Sequence, residues 1–580
     1  MAIFSCDIET DGLNPTKVWC IVAQDVRTKE NLVFTYPDYI YYDMEGGSEH
    51  FNDWVNGIDT LVFHNGIGFD IPVLKKLLGT SFDTVKIEDT LILSQLFAPR
   101  IDKGHSLASW GERLGFPKGD HTDWSMYSKE MLEYCIRDVE ITTKLYNYFN
   151  ISSFSRDAIE LEYKIKEYCS EQERNGWYFN EDGAIRLLQK ISGDVTEVES
   201  EVRQVFKPLP VFHEVNKANK YNDSGSRSVR YKNQLDKGCH WTADGQWGYN
   251  TFDEFNLGSR QQIAKYLMNF GWKPRVFTDK GNVKVDETVL EGVEIPEAKL
   301  IARYLMLQKR RSMLESWLDA YNEQTHCIHA RVHTIGTVTN RMSSSNPNLQ
   351  QVIASDKEYG MEMRSLFTVP KGKVIVGADL SGLELRCLAH YMKDEDYINE
   401  ILTGDIHTKN QKSSGLRTRN EAKKFIYAYL YGGGDKLIGS IVGGSSSVGK
   451  RIKKKFLDNT PALRELRRLV EKAADRGYLR GLDGRRILVV SKHSALNFLL
   501  QSAGSVIAKR AWVIFHEKCT LPYKQLGVIH DEIQIECLPE HAEQIGEQVV
   551  SAMRATTDYY KLRCPIDGEY KIGRSWNETH

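Results

Sequence analysis

Two short strand-like runs that carry acidic side chains stand far apart in this chain, CDIET at residues 6–10 and VIVGADLSGLELR at residues 374–386. Alternation along the first puts Asp7 and Glu9 on one face of a strand, where two carboxylates repel each other unless a cation sits between them. In the second, Asp379 directly follows the apolar strand 374–376, and Glu384 comes five residues later at the start of a helical run. With 580 residues the chain is too long for a single hydrophobic core. The two acidic strands are therefore expected in different domains, of which the length suggests about two to four.

A net charge of −2 neither requires nor forbids a polyanionic partner, because a groove can be lined by local charge while the rest of the surface compensates. Lys450, Arg451, Lys453, Lys454 and Lys455, followed by Arg464, Arg467 and Arg468, make a basic helical stretch that could lie along phosphates; a solvated helix surface is the plainer reading. The cysteines form no CxxC pair and no Cys/His array at zinc spacing, so they read as small buried hydrophobes of a reducing compartment. MAIFSCDIET runs straight into a strand pattern, so no signal peptide is expected, and no apolar stretch approaches the ~20 residues that span a bilayer.

Residues 1–150 read as α/β, with strands near 2–8, 18–24 and 60–63 and helices near 71–78 and 130–149. The pattern is helical over 153–200 and again near 258–270 and 297–321. Between these, 205–255 is broken by Pro208, Pro210, Gly225, Gly238, Gly245 and Gly248. It carries Lys207, Lys217, Lys220, Arg227, Arg230, Lys232 and Lys237, and reads as a basic, loop-rich excursion. From 328 onward strands and helices alternate, ending in a strand–turn–strand around 526–536, and no internal repeat occurs. The expected order is a small α/β domain, a helical domain with an insertion, and a large mixed domain.

Each acidic strand gains partners. VFHNGIGFD ends a strand in a glycine-rich turn and delivers Asp70 near a helix start, and YCIRD sets Tyr134 and Asp138 four apart on one helical face. Asp7, Glu9, Asp70 and Asp138 can together hold two divalent metals roughly 3.5–4 Å apart, one activating water and the other stabilising the leaving oxygen of a phosphodiester, with Tyr134 positioning the water. Alone, the Asp7/Glu9 pair would more often be a solvated strand edge. In the second group, VIHDEIQIE places His530 and Asp531 in the bend of a hairpin, so Asp379 and Asp531 can form a platform for two Mg²⁺ ions. In RTRNEAKKFIYAYLYGGG, Arg419, Lys423, Tyr427 and Tyr431 recur at i, i+4. That stripe offers two cations for triphosphate oxygens and two aromatic faces for a base and sugar. The plainer alternative is a basic helix whose tyrosines pack in the core.

DIE, HNxxxxD and YxxxD resemble the proofreading exonuclease of family A DNA polymerases, and DLSGLELR, RxxxKxxxYxxxYG and HDE resemble the polymerase motifs of the same family. The order runs from Asp7 to Trp576, and GDIHTKNQ, GLDGRR and NFLLQSAG add to the likeness, which is greatest to replicative enzymes of short-tailed lytic bacteriophages. The resemblance implies an α/β multidomain protein in which a ribonuclease-H-like 3′–5′ exonuclease domain (1–150) precedes a right-hand polymerase. Its parts would be a thumb and helical region (151–325, insertion about 205–255), the first part of the palm (326–400), fingers (401–480) and the second part of the palm (481–580). It implies template-directed DNA synthesis from dNTPs with proofreading of frayed 3′ ends, two Mg²⁺ per active site with Mn²⁺ as a substitute, primer-template DNA and a replisome helicase-primase as partners, and a host-cytoplasmic location.

By the same resemblance, Asp379 and Asp531 bind the catalytic metals, and Arg419, Lys423 and His407 contact the incoming phosphates. Glu384 crowds the ribose 2′ position, Tyr431 stacks at the templating pocket, and His530 approaches the primer terminus. Tyr427 is the stripe position that governs acceptance of chain terminators. Arg341, Asn497 and Gln501 read the minor-groove face of the last base pairs, where acceptors are similar in all Watson–Crick pairs. His64 and Asn65 lie behind the exonuclease carboxylates, and Glu532 is a structural or outer carboxylate. The interval 205–255 looks shorter than the thumb insertion by which the phage enzymes recruit thioredoxin, which leaves that partner open. A DNA exonuclease with a degenerate, non-synthesising polymerase domain would leave the stripe and the Asp379/Asp531 pair without a role, and a non-enzymatic DNA-binding factor would leave every carboxylate without one. RNA synthesis is disfavoured by Glu384.

Overall fold

The alternation in CDIET is realised as the strand Ile3–Thr10, in the middle of a five-stranded sheet, in a computed structural model that describes residues 2–43, 47–278 and 280–580. Val18–Asp25 pairs antiparallel on one side, followed by Asn31–Thr35; Thr60–Phe63 and then Lys86–Asp89 run parallel on the other. Cys6 and Ile8 enter a core with Phe34, Phe51, Leu61 and Phe63. The two-residue period therefore turns Asp7 and Glu9 to the opposite face. There the helix Lys129–Tyr148 packs Cys135 and Val139 on Cys20 and Val22, the residues that oppose Glu9 and Asp7 in the sheet register.

The turn HNGIGF that follows Thr60–Phe63 is held by the Asp89 carboxylate, which accepts from the N–H of Asn65 at 3.0 Å and of Ile67 at 3.2 Å. A Cβ on Gly66 would lie 2.2 Å from the Phe63 Cβ, so this approach requires glycine. The helix Asp70–Leu78 then begins at Asp70 itself.

The second sheet has four antiparallel strands in the order Tyr523–Ile529, Glu532–Cys537, Val374–Leu380, Gly568–Gly573. Val376, Val528, Ile533 and Ile535 join a core with the helices Ala495–Lys518 and Ala542–Tyr559. His530 and Asp531 make the tight connection between the first two strands, with His530 in the left-handed region at φ 57°. The register sets Asp379 opposite Glu532, at the same end of the sheet as that connection.

The helix Arg156–Asn175, grouped by its sequence pattern with the helical middle region, sends Leu161, Ile165 and Cys169 into the second core and Ile159 and Tyr163 into the first. Accordingly the chain divides into one unit of Met1–Asn180 with Ala320–His580 and another of Glu181–Asp319. In the smaller unit the helices Glu181–Val205 and Pro296–Asp319 pack together.

Within that unit the excursion 205–255 is more regular than its prolines and glycines suggest. Leu209–Glu214, His240–Trp241 and Trp247–Asp253 form an antiparallel sheet, and Val229–Asp236 is a helix. Pro210 is tolerated because its strand lies at the sheet edge. Seven Lys and Arg share the interval with six Asp and Glu, so it is close to neutral and not the basic patch its lysines alone suggest. Among the described residues no helix is long and apolar enough to cross a membrane.

Candidate active sites

Asp7, Glu9 and Cys135 bring one ligand atom each to within 4.8 Å of one another. The Cys135 thiol lies 3.7 Å from Asp7 Oδ2. Asp138, one turn further along the helix Lys129–Tyr148, is buried and paired with Lys118 Nζ at 2.5 Å; the same ammonium stands 4.7 Å from the centre of the Tyr134 ring. Tyr134 is flanked by Trp124 at 5.7 Å and His121 at 5.9 Å. Asp70 is buried at its helix start.

Burial pushes all four carboxyls up. Asp7 rises well above the ordinary carboxylate range, with Asp70, Asp138 and Glu9 adding repulsion. Glu9 is pushed up to about 9 by burial, then by Cys20 and Asp138, against the pull of Lys118. Asp70 is raised to about 7 by burial and by Asp89 and Asp138, opposed by hydrogen bonds from its own backbone N–H and that of Ile8. Asp138 is raised by burial even though Lys118 opposes it. Glu9 Oε1 and Asp138 Oδ1 have no hydrogen-bond partner among the described residues. Buried oxygens without donors, in a set of mutually repelling carboxylates, are what a divalent cation satisfies. His64 is bonded to Thr90 Oγ1 at 2.9 Å and drawn down to about 3 by burial and by Lys118, so it stays neutral. Asn65 presents its backbone to Asp89.

The second group opens on a cavity of about 200 Å³ lined by Arg341, Leu383, Glu384, Tyr431, His530 and Asp531. Asp379 is raised to about 8 by burial, then by Asp531, Glu532, Glu569 and Glu384. Asp531 is raised to about 6 by burial and Glu384, with Arg341 opposing. Asp379 and Asp531 thus form a second acidic pair whose ionisation needs positive charge nearby. Glu384 Oε1 accepts from the Tyr431 hydroxyl at 2.5 Å and from Arg341 at 3.4 Å. The His530 N–H is held by Gln350 Oε1 at 3.0 Å, and burial keeps the imidazole below its ordinary value. Glu532 accepts from Trp576 Nε1 at 2.6 Å and pairs with His580 at 2.6 Å, which makes it structural.

The helix Arg419–Leu430 starts in a capping box formed by Thr418 and Glu421. Arg419 and Lys423 are exposed and Tyr427 is half-buried, its ring 6.2 Å from His407. Tyr429, off the stripe, is the tyrosine that fills the core. Tyr431 stands just past the helix end, 46% exposed. Arg419 is paired with Asp405 at 2.7 Å, and Asp405 caps the helix that begins at Ile406 and carries His407. Burial, then Arg419 and Lys423, lower His407. Asn497 turns inward and donates to the Leu430 carbonyl at 2.6 Å, securing the end of the stripe helix, while Gln501 accepts from Thr339 Oγ1 at 3.3 Å.

Lys118, Cys135 and Asp405 escaped the sequence reading. Only Asp405 left a local signal, an aspartate directly before a helical run; Lys118 and Cys135 meet the acidic strand through long-range packing.

The two folds have counterparts in known families. The profile of DNA polymerase family A matches residues 230–578, and that of the RNase H superfamily matches residues 4–116. The DNA-directed DNA polymerase of Enterobacteria phage T3 is 33% identical over 708 aligned positions, spanning 99% of each chain, and that of Escherichia phage T7 is 32% identical with the same coverage. Those 708 positions exceed the 580 residues here, so the T3 relative has well over a hundred positions without a counterpart in this chain. A solved structure described as the POL domain of Pol1 from M. smegmatis with DNA primer-template and dNTP superposes with a TM-score of 0.76 at 16% identity, covering 99% of this chain and 95% of that one, which shows a shared fold.

The chain belongs to DNA polymerase family A. It is a DNA-directed DNA polymerase related to the T7 and T3 replicative enzymes, with an RNase-H-like 3′–5′ exonuclease domain ahead of a palm, fingers and thumb fold.

Proposed function

We propose that the two activities are carried by two separate acidic sites, Asp7, Glu9, Asp70 and Asp138 for excision, and Asp379 and Asp531 for synthesis. The observation that carries this reading is the pair of carboxylate clusters, one on each sheet, each raised by burial and by neighbouring carboxylates. Each donor set is of hard oxygens and suits Mg²⁺, with Mn²⁺ as a substitute. When bound, such ions would lower the charge barrier at the attacking and leaving oxygens of the phosphodiester or triphosphate.

The chain's own residues bind and orient. Arg419, Lys423 and His407 take the triphosphate oxygens, and release of Arg419 from Asp405 frees its guanidinium for them. Tyr427 faces the nucleotide sugar, and Tyr431 offers an aromatic face beside it. Glu384, fixed by Arg341 and Tyr431, occupies the space a ribose 2′-hydroxyl would need. Arg341 and Gln501 face the minor groove of the terminal pair, Asn497 acts on it through the Leu430 carbonyl, and His530 lies at the primer end. At the other site Tyr134 orients the attacking water, and Lys118 partly neutralises the carboxylates.

On this reading the parts are 1–150 for excision, 151–325 for the thumb region, 326–400 and 481–580 for the palm, and 401–480 for the fingers. Primer-template DNA and dNTPs are the substrates, a helicase-primase is the replisome partner, and the host cytoplasm is the setting. The sheet at 209–253 contacts duplex DNA; the short, nearly neutral insertion does not favour a thioredoxin-type clamp. Asp531→Asn should cut single-nucleotide incorporation by about three orders of magnitude or more in rapid quench at saturating Mg²⁺, while DNA binding changes little. A rate within about tenfold of the parent would remove Asp531 from the reacting centre.

A further inference from the structure

Behind the polymerase cavity lies a buried ionic network to which the proposed chemistry gives no role. Glu162, on the helix Arg156–Asn175, Lys509, on the helix Ala495–Lys518, and Arg485, in the turn after Tyr478–Arg480, are fully buried, and Asp483 in the same turn nearly so. Lys509 Nζ donates to both Glu162 oxygens at 2.7 and 2.8 Å, Arg485 donates to Glu162 at 2.7 Å, and Arg485 also grips Asp483 at 2.7 Å. Two positive and two negative charges thus neutralise one another.

The ammonium does more than balance Glu162. It also reaches the carbonyl oxygens of Thr334 at 2.8 Å and Asn340 at 2.9 Å. The Asn340 carbonyl accepts a second bond, from Ser505 Oγ at 2.8 Å. Asn340 sits in the left-handed region at φ 61°, which asparagine accepts more readily than other non-glycine residues, so the two bonds to its carbonyl hold a turn that its sequence permits. The next residue is Arg341, whose N–H donates to Thr337 Oγ1 at 3.0 Å and whose carbonyl accepts from Gly336 at 2.9 Å. Its guanidinium enters the cavity, 3.4 Å from Glu384 and 5.9 Å from the centre of the Tyr431 ring. An ion pair needed only to join two helices has no use for these two carbonyls. A buried ammonium that must complete its hydrogen bonds, however, makes a stiff clamp.

We infer that Lys509, held by Glu162 and assisted by Ser505, is a positioning residue for synthesis: it clamps the Thr334 and Asn340 carbonyls and so fixes the backbone from which Arg341 is presented to the nucleotide and primer end. This rests on the proposed placement of Arg341 in the polymerase site.

A double-mutant cycle in the full chain, with excision silenced by Asp7→Ala and Glu9→Ala, tests it. Correct-nucleotide kcat/KM is measured by rapid quench for the parent, Lys509→Met, Arg341→Ala and the combination. Lys509→Met should lower it on the order of 10- to 100-fold where Arg341 is present and by less than about twofold where Arg341 is Ala. Equal losses in both backgrounds would mean general loosening of the fold and would overturn the inference, as would no loss in either. If Arg341→Ala alone has no effect, the placement of Arg341 is wrong and the inference falls with it, a result distinct from uncoupled losses. Ser505→Ala removes the other donor to Asn340 without changing charge and serves where Lys509→Met does not fold. Its loss should be about two- to fivefold, again only with Arg341 present, and an unchanged rate overturns the proposal.

Discussion

The amino-terminal and carboxy-terminal acidic clusters face the same electrostatic difficulty and meet it differently. In the first, Asp7, Glu9 and Asp138 are gathered between a sheet and one helix, with Lys118 placed against Asp138 as a resident cation. In the second, Asp379 and Asp531 come from a strand and a hairpin far apart in sequence, Asp531 lines a cavity together with Arg341, and two further cations, Arg419 and Lys423, stand on a separate helix. An enclosed cluster suits a substrate that brings one phosphodiester. An open one suits a triphosphate, which brings more negative charge and needs its cations at some distance from the carboxylates. Lys118 thus offsets the first cluster through Asp138, and Arg341 offsets the second through Glu384 and Asp531; on the proposed reading, the second also draws on the stripe helix for the charge a triphosphate brings.

If the stripe serves the incoming nucleotide, the sharpest consequence falls on Tyr427. A dNTP has a 3′-hydroxyl that can bond to its own phosphate oxygens, and a dideoxynucleotide lacks it; the tyrosine hydroxyl can supply a donor in its place, whereas phenylalanine cannot. Tyr427→Phe should therefore leave dNTP use nearly unchanged and lower ddNTP incorporation on the order of 10- to 100-fold, the scale of about 1.5–3 kcal/mol for one hydrogen bond to a charged group. Pre-steady-state rates in an excision-silenced chain check this. An unchanged ddNTP to dNTP ratio would detach the stripe from the triphosphate and leave Arg341 as the cation beside the carboxy-terminal cluster.

A smaller effect tests the electrostatics themselves. In the metal-free chain Asp379 is held at about 8, above the ~3.9 of an unfolded aspartate. Below pH ~4 the group is protonated in both states and its contribution to stability is fully present. As pH rises toward about 8 the unfolded chain releases that proton first, and the contribution is lost. Asp379→Asn should thus raise Tm in chelator by about 2–4 °C at pH 8 and leave it unchanged near pH 4. A shift of opposite sign at pH 8, or one independent of pH, would mean that the acidic pair carries no such repulsion.

How much of this was legible in the sequence depended on range. Asp7 and Glu9 could be placed because a strand fixes side chains two apart on one face, and Arg419, Lys423 and Tyr427 because a helix does the same for residues four apart. Asp379 and Asp531 were legible as the ends of apolar runs, although their pairing follows from a register that no local pattern prints. Lys118 lies in a loop between helices and meets Asp138 only through tertiary packing, and Cys135 looked like any small buried residue. Asn497 and Gln501 share a helical face, as their spacing implies, but Asn497 bonds to Leu430, because a neighbouring helix end offered a carbonyl without a partner. The sheet within 205–255 was hidden by Pro210, which an edge strand tolerates, and by turn glycines that punctuate strands as readily as loops.

Whether one chain carries two separate acidic sites is decided by measuring both activities on two variants. Asp7→Ala with Glu9→Ala should lose release of nucleotides from a single-stranded 3′ end by about three orders of magnitude or more while primer extension stays within about threefold of the parent; Asp379→Asn should do the reverse. If correctly folded variants of either kind lost extension and excision together, the two clusters would not be separate sites.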